Sequence, residues 1–211
     1  MVITYHTGEC IKTTAGDTTL VFGPVSKQSK NLKPTNFGAD IACISRRHPD
    51  MSGVEQVSRG GKEPFVVDGP GEYEAGSVSL VGFQTMSGYE KGEYINTVYH
   101  VLFDGISLLY AGALSDGNLP GQLLEDVDEI DVLFVPIGGG GVLDPAQAQK
   151  LAVLLEAKIV VPIHWDGVGA KGALETFLKE AGAEDVKTIE KLTIKPKDVS
   201  GKSGEVVALK A

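Results

Sequence analysis

The run Arg46-Arg47-His48-Pro49-Asp50-Met51 brings two guanidinium groups, an imidazole and a carboxylate together on one short stretch of backbone. Imidazole nitrogen and carboxylate oxygen are both zinc donors, and either group can orient water or take its proton. Guanidinium forks grip carboxylate or phosphate in a bidentate way. His48 and Asp50 are therefore the candidate catalytic or metal-binding groups, and Arg46 and Arg47 the candidate anion grips. A third candidate is His164, which ends an apolar run beside Trp165 and Asp166 and, with a polar loop following, faces a strand-end cleft. Gly139 and Gly140, within four consecutive glycines, offer bare backbone that an anion could approach closely. That glycine run lacks the Lys-Ser/Thr of a phosphate loop and the spacing of a dinucleotide loop, so it does not indicate nucleotide binding.

These groups need elements to hold them. In the first half, short apolar or alternating runs at residues 2–5, 10–14, 18–22, 41–45, 65–67 and 78–83 read as strands. Gly16-Asp17 and Asp104-Gly105 are hairpin dipeptides, the second between strands 97–103 and 106–110. The second half alternates differently. Residues 132–136 and 158–163 are apolar runs of the buried-strand type, and Asp144-Pro145 between them supplies an N-cap and a first-turn proline. Ala146, Ala148, Leu151, Ala152, Leu154 and Leu155 then give that helix an apolar face. Further helices are expected at 52–58, where Asp50 could act as a cap, and at 170–181, stopping at Gly182. Residues 192–195 and 206–209 read as a closing hairpin, and residues 26–37, with Lys27, Lys30 and Lys33, as a mobile surface loop.

The 211 residues, 42% hydrophobic and 22% charged, can bury a full core, and one domain spanning 1–211 is expected. The net charge of −9 disfavours broad adhesion to nucleic acid or anionic membrane, while leaving room for a local basic pocket and a small anionic ligand. No basic head precedes an apolar run at the N-terminus, and about 18 consecutive apolar residues occur nowhere, so a cytoplasmic, non-membrane protein is expected. Cys10 and Cys43 form no CxxC pair and read as buried small hydrophobes; His6 and His100 read as packing residues.

The run at 44–53 resembles the signature of the metallo-β-lactamase superfamily, Ser/Thr-His-x-His-x-Asp-His after an apolar strand, with Arg46 at the first His, His48 and Asp50 matching, and Met51 at the last His. Four further stretches match in order: Gly69-Pro70-Gly71-Glu72-Tyr73-Glu74, Tyr110-Ala111-Gly112-Ala113-Leu114, Phe134-Val135-Pro136-Ile137 with the glycines after it, and Val161-Pro162-Ile163-His164. They resemble most closely the branch of ascorbate-phosphate lactonase-like proteins. The resemblance implies an α/β fold, a four-layer αββα sandwich of two mixed sheets with helices outside.

It also implies a site with fewer donors than the family's two-metal centre. Residues 84–91 hold no His where a further ligand is expected, Ala113 stands at the bridging carboxylate, and Asp116 is three residues out of register. Arginine cannot ligate zinc and a thioether is a poor zinc donor. His48, Asp50 and His164 remain, giving either no metal or a single zinc held by these three and water. Arg46 would then pair with Asp50 as an internal salt bridge. The leading expectation is a non-catalytic or non-standard binding or scaffold protein, a pseudoenzyme. The alternative is a hydrolase of lactones, phosphoesters or RNA-type phosphodiesters working with one metal or none. A third reading is an oligomeric module with subunit contacts through the lysine-rich loop, which makes a homo-oligomer compatible with the sequence.

Overall fold

The computed structural model describes residues 1–58 and 60–211. Among the described residues, thirteen strands form two mixed sheets. The first contains β1 (Val2–Thr7), β2 (Cys10–Ala15), β3 (Thr18–Phe22), β4 (Ile41–Ile44), β5 (Phe65–Asp68) and the late β12 (Leu192–Thr193), in the order β12-β1-β2-β3-β4-β5. The second contains β6 (Gly71–Ala75), β7 (Val78–Ser87), β8 (Tyr94–Phe103), β9 (Ile106–Tyr110), β10 (Val132–Pro136), β11 (Ile159–Ile163) and β13 (Glu205–Val206), in the order β13-β11-β10-β9-β8-β7-β6.

Local chemistry accounts for the hairpins. β2 and β3 pair antiparallel with Ala15 opposite Thr18, around Gly16-Asp17. β8 and β9 pair with Phe103 opposite Ile106, and both turn residues, Asp104 (φ 54°) and Gly105 (φ 70°), are left-handed, as a type I′ turn requires. Parallel pairs need long crossovers instead. β3, β4 and β5 are parallel neighbours, so residues 23–40 and 45–64 must travel back along the sheet. β9, β10, β11 and β13 are also parallel, and α2 (Pro145–Leu154) makes the crossover between β10 and β11. Asp144 caps α2 in a reciprocal pair with Gln147, and Pro145 sits in the first turn, as the sequence indicates.

The sheets pack face to face. Ile3, Ile11, Leu20, Phe22 and Cys43 from the first meet Leu80, Tyr99, Leu108, Tyr110, Phe134 and Val161 from the second, all almost fully buried. Burying one such aromatic or aliphatic side chain contributes about 1.5–3 kcal/mol. On the outer face of the second sheet, Leu109, Leu133, Val135 and Val160 pack under α2 and α3 (Ala173–Glu180), whose Leu174, Phe177 and Leu178 point inward. The outer face of the first sheet is covered mainly by loop: Val25, Leu32 and Ala39 of the 23–40 crossover and Val57 seal Cys10, Val21 and Ala42. Two short helices complete the fold, α1 (Gly121–Asp126) and α4 (Pro196–Val199). No helix among the described residues is long and apolar enough to cross a membrane.

Three local expectations are corrected. The helix expected at 52–58 is one 3-10 turn, Val54–Gln56, which has no side-chain cap, because Asp50 spends its oxygens elsewhere. The expected closing hairpin does not form: β12 pairs antiparallel with β1 and β13 parallel with β11, so the two segments finish edges of different sheets. α4 lies between them and separates their paths. The loop at 26–37 is no loose insertion, since its Leu32 is buried and it walls the site described below.

Gly53 fixes how closely that wall approaches. Its N–H donates to the Pro24 carbonyl at 2.6 Å, and a Cβ there would stand 2.3 Å from the Ser26 nitrogen and 2.4 Å from the Val25 carbonyl carbon. Both obstacles are backbone, so relief requires moving a chain segment. Gly53→Ala is expected to destabilise the protein by about 1–3 kcal/mol, read as a lower urea midpoint. An unchanged midpoint would mean that the 24–26 segment yields at no cost.

Candidate functional site

Loops leaving the C-terminal ends of parallel strands in both sheets meet at one end of the sandwich. Such ends are where ligands bind in open α/β sheets. β4 delivers Ser45 through Asp50, β10 delivers the glycines 138–141, and β11 delivers His164. The loop joining β7 to β8 closes the site from the side with Tyr89 and Glu90. Ser45 accepts from the Thr97 N–H at 2.8 Å, which ties the β4 turn to the second sheet.

Asp50 is buried and its carboxylate is saturated. Oδ1 accepts from the Ser29 hydroxyl at 2.6 Å; Oδ2 accepts from the Asn31 amide at 2.9 Å and the Tyr89 phenol at 2.8 Å. Burial opposes its ionisation, but the bonds from Ser29, Asn31 and Tyr89 outweigh that and hold its carboxyl below the usual carboxylate range. Burial, together with the Asp50 acceptor, pushes the Tyr89 phenol up. The His48 Nδ1 accepts from the Asp50 backbone N–H at 3.2 Å, which leaves Nε2 to donate to Glu90 at 2.8 Å. Asn31 also donates to Glu90, at 3.0 Å. The His48 and Asn31 bonds hold the Glu90 carboxyl below its ordinary value.

His48, Asp50 and Glu90 each place a donor atom within 4.8 Å of the others. Among the described residues, neither carboxylate has a lysine or arginine nitrogen within 4.0 Å; the one basic group that close to them is His48. The expected trio of His48, Asp50 and His164 is thus only partly assembled. His48 and Asp50 meet, with 3.8 Å from Nδ1 to Oδ2, but the third donor is Glu90. The Tyr89 ring stands nearly perpendicular to both imidazoles, 5.3 Å from His48 and 4.9 Å from His164 between centroids, and so lies against each of them.

His164 belongs to a second group. Its Nδ1 bonds Glu9 Oε1 at 2.9 Å, and Glu9 also accepts from the Tyr110 phenol at 3.2 Å. His164 and Glu9 are both 1% exposed, and the His164 Nε2 has no hydrogen-bond partner among the described residues. The backbone at His164 is left-handed (φ 58°), held by its N–H donating to the Gly8 carbonyl at 2.6 Å. Gly138 allows the neighbouring loop to lie on it, since a Cβ there would come within 2.1 Å of the His164 carbonyl oxygen.

Arg46 does not pair with Asp50, contrary to the salt bridge expected. Its guanidinium lies 4.0 Å over the Tyr94 ring, and Nη1 donates to the Tyr89 carbonyl at 2.7 Å. The physical reason is that Asp50 is already saturated by neutral donors, while Tyr94 and the Tyr89 carbonyl give the buried cation its own contacts. Arg47 points to solvent and holds Asp68 at 2.9 Å. Gly139 and Gly140, expected to join the arginines, do not line the arginine pocket; their loop braces the Tyr89 segment, with Gly88 N–H donating to Gly141 at 3.0 Å. Met51 and Ala113 pack with Tyr89 and Val142 in a small apolar cluster. Asp116 is exposed and caps the Asn118 N–H. His6 packs at a tilt against Phe37 and His100 bonds Ser107, both away from the site. Cys10 and Cys43 are free and buried.

Sequence reasoning missed Glu9, Ser29, Asn31, Tyr89 and Glu90. Glu9 alone carried a local signal, an acidic residue adjoining an apolar strand.

Tyr89→Phe removes one donor from a buried carboxylate. In chelator-treated protein it is expected to cost about 1.5–3 kcal/mol at pH 7. Because the folded Asp50 pKa is depressed, its contribution is present above the unfolded value, near ~4, and is lost as pH falls through the folded value. The stability gap between wild type and variant should therefore hold down to about pH 4 and narrow below it. Urea titrations at neutral and acid pH measure this; an equal gap at both would assign the loss to packing.

Residues 2–164 match the model of the beta-lactamase superfamily domain. A metal-dependent hydrolase of Bacillus licheniformis is 26% identical over 198 residues, covering 78% of this chain and 85% of that protein. One of Listeria innocua is 28% identical over 199 residues, covering 79% and 86%. Among solved structures, a Thermotoga maritima protein of the metallo-beta-lactamase superfamily superposes with a TM-score of 0.71 at 25% identity, over 99% of this chain and 97% of that one. A metallo hydrolase of Ignicoccus hospitalis gives 0.61 at 20% identity, over 92% and 99%, and shares the fold. With its two mixed sheets and its site at their strand ends, the chain belongs to the beta-lactamase superfamily.

Proposed function

We propose that the protein is a metal-dependent hydrolase that works with a single divalent cation, held by His48, Asp50 and Glu90 at the mouth of the cleft. The observation that carries this reading is the charge balance. Among the described residues, two carboxylates and an imidazole converge there without a lysine or arginine partner, so a cation is what this donor set lacks. One nitrogen and two carboxylate donors suit zinc, iron or manganese. The names of the relatives in Bacillus and Listeria support the same chemistry.

When bound, such an ion supplies Lewis acidity and lowers the pKa of a bound water. The remaining roles fall to side chains. Ser29, Asn31 and Tyr89 orient Asp50. With His164 Nδ1–H donating to Glu9, the unpaired Nε2 carries the lone pair, the arrangement of a general base aligned by a carboxylate. Small esters fit the cleft chemistry, lactones and phosphoesters alike.

A second reading, a binding or scaffold protein without hydrolysis, draws on one specific observation. Asp50 is satisfied by three neutral donors, and Met51, Ala113 and Tyr89 pack as an apolar cluster where the family resemblance calls for metal ligands.

Metal analysis of protein purified without chelator, paired with a lactone and phosphodiester screen, separates the two. The hydrolase reading expects about one divalent ion per chain, lost in Glu90→Gln and His48→Ala, and a rate at least about tenfold lower in His164→Ala with the ion retained. Absence of bound ion after supply of zinc, iron and manganese, with equal residual rates in wild type and His48→Ala, would leave the binding reading.

A further inference from the structure

A pocket of about 400 Å³ is lined by Arg46, Arg47, Asp68, Pro70, Tyr94 and Ile95 among others. None of His48, Asp50, Glu90 or His164 lines it. From its composition we infer that this pocket binds a small monocarboxylate with a flat apolar body.

Arg46 is the anchor. Of its five donors, one Nη1 bond to the Tyr89 carbonyl is formed, and the buried Nε–H has no acceptor among the described residues. Nη2, which makes no hydrogen bond among the described residues and is not among the fully buried atoms, is the nitrogen open to an incoming carboxylate. The guanidinium is already held in place by the Tyr94 ring at 4.0 Å and by the Tyr89 carbonyl, so little ordering is lost on binding. Arg47 supplies the second cation. Its side chain is 82% exposed and its contact with Asp68 is a surface pair, weak enough to be exchanged for a ligand carboxylate.

Charge and surface then select the class. Among the described residues that line the pocket, two guanidiniums and the Asp68 carboxylate leave a balance of one positive charge, matched by a monoanion, whereas a phosphate dianion would meet Asp68 with a larger like charge. Tyr94 and Ile95 are 46% and 55% exposed, large apolar side chains left open to solvent beside the arginines, with Pro70 opposite. An apolar ring covering them gains burial that a bare inorganic ion does not. The volume lies in the range of small-molecule sites.

No residue of the cation centre lines the site, and its test is run on the full chain both as purified and after chelation, so that failure of one reading leaves the other intact. Phenylacetate, phenylacetamide and inorganic phosphate are titrated into labelled protein, following the backbone amides of Gly69, Ile95 and Thr97. Phenylacetate at millimolar concentration should shift these amides saturably and equally with and without chelation. Phenylacetamide, lacking the charge, should leave them unmoved, and phosphate should bind more weakly. Arg47→Gln, a surface change that folding tolerates, should weaken phenylacetate about fivefold or more. Arg46→Lys, which keeps the charge but loses the planar fork, should weaken it about tenfold or more while the rest of the spectrum stays in place. Equal shifts with phenylacetamide, tighter binding of phosphate, no shift at these amides, or no effect of Arg47→Gln would each overturn the assignment.

Discussion

A carboxylate buried at position 50 has to be compensated, and most of the architecture around the cleft follows from how this is done. Removing a charge from water costs several kcal/mol unless hydrogen bonds or counter-charges replace the lost hydration. Here the replacement comes from three separate segments. Ser29 and Asn31 come from the crossover between β3 and β4, Tyr89 from the loop between β7 and β8, and His48 from the carboxylate's own turn. The long crossover is therefore both the cover of the first sheet and a wall of the site. Its close approach at Gly53 is the geometric condition for Ser29 and Asn31 to reach.

A second buried carboxylate does similar work between the sheets. Glu9 sits in the turn between β1 and β2, while its partners Tyr110 and His164 end β9 and β11 of the other sheet. The bonds join the sandwich at the end where the site lies and aim an unpaired imidazole nitrogen inward. Tyr89 connects the two groups: its phenol serves Asp50, its ring packs against His48 and His164, and its carbonyl positions Arg46. One loop residue thus joins the cation cleft, the buried imidazole and the arginine pocket. Glu90 and Lys91, which follow it, are both left-handed (φ 55° and 58°), a backbone cost sustained by the contacts that Tyr89 and Glu90 make.

Much of the fold was legible because its signals are local. The hairpin dipeptides, the buried runs of β10 and β11, and the capping pair of α2 each depend on residues within a few positions of one another. Even the proximity of His48 and Asp50 is local, being two positions apart on one turn. The two-residue strands β12 and β13 were misread as a hairpin because such short segments carry no register of their own. Each goes to whichever sheet edge leaves backbone groups unpaired, and the edges of β1 and β11 belong to different sheets. The salt bridge expected between Arg46 and Asp50 failed for a related reason: opposite charges near in sequence pair only if no better partners arrive from elsewhere.

By itself, the sequence determined the family, the two-sheet α/β class, the turn that carries His48 and Asp50, and the absence of histidine from residues 84–91. Only the tertiary structure decided which donors meet. Glu90 is brought to His48 across 42 positions, and Glu9 to His164 across 155. Periodicity and spacing encode which face a residue takes within its own element, whereas these pairings depend on where two sheets and three loops come to rest against each other. That position is set by the summed packing of the whole core, and no short stretch of sequence contains it.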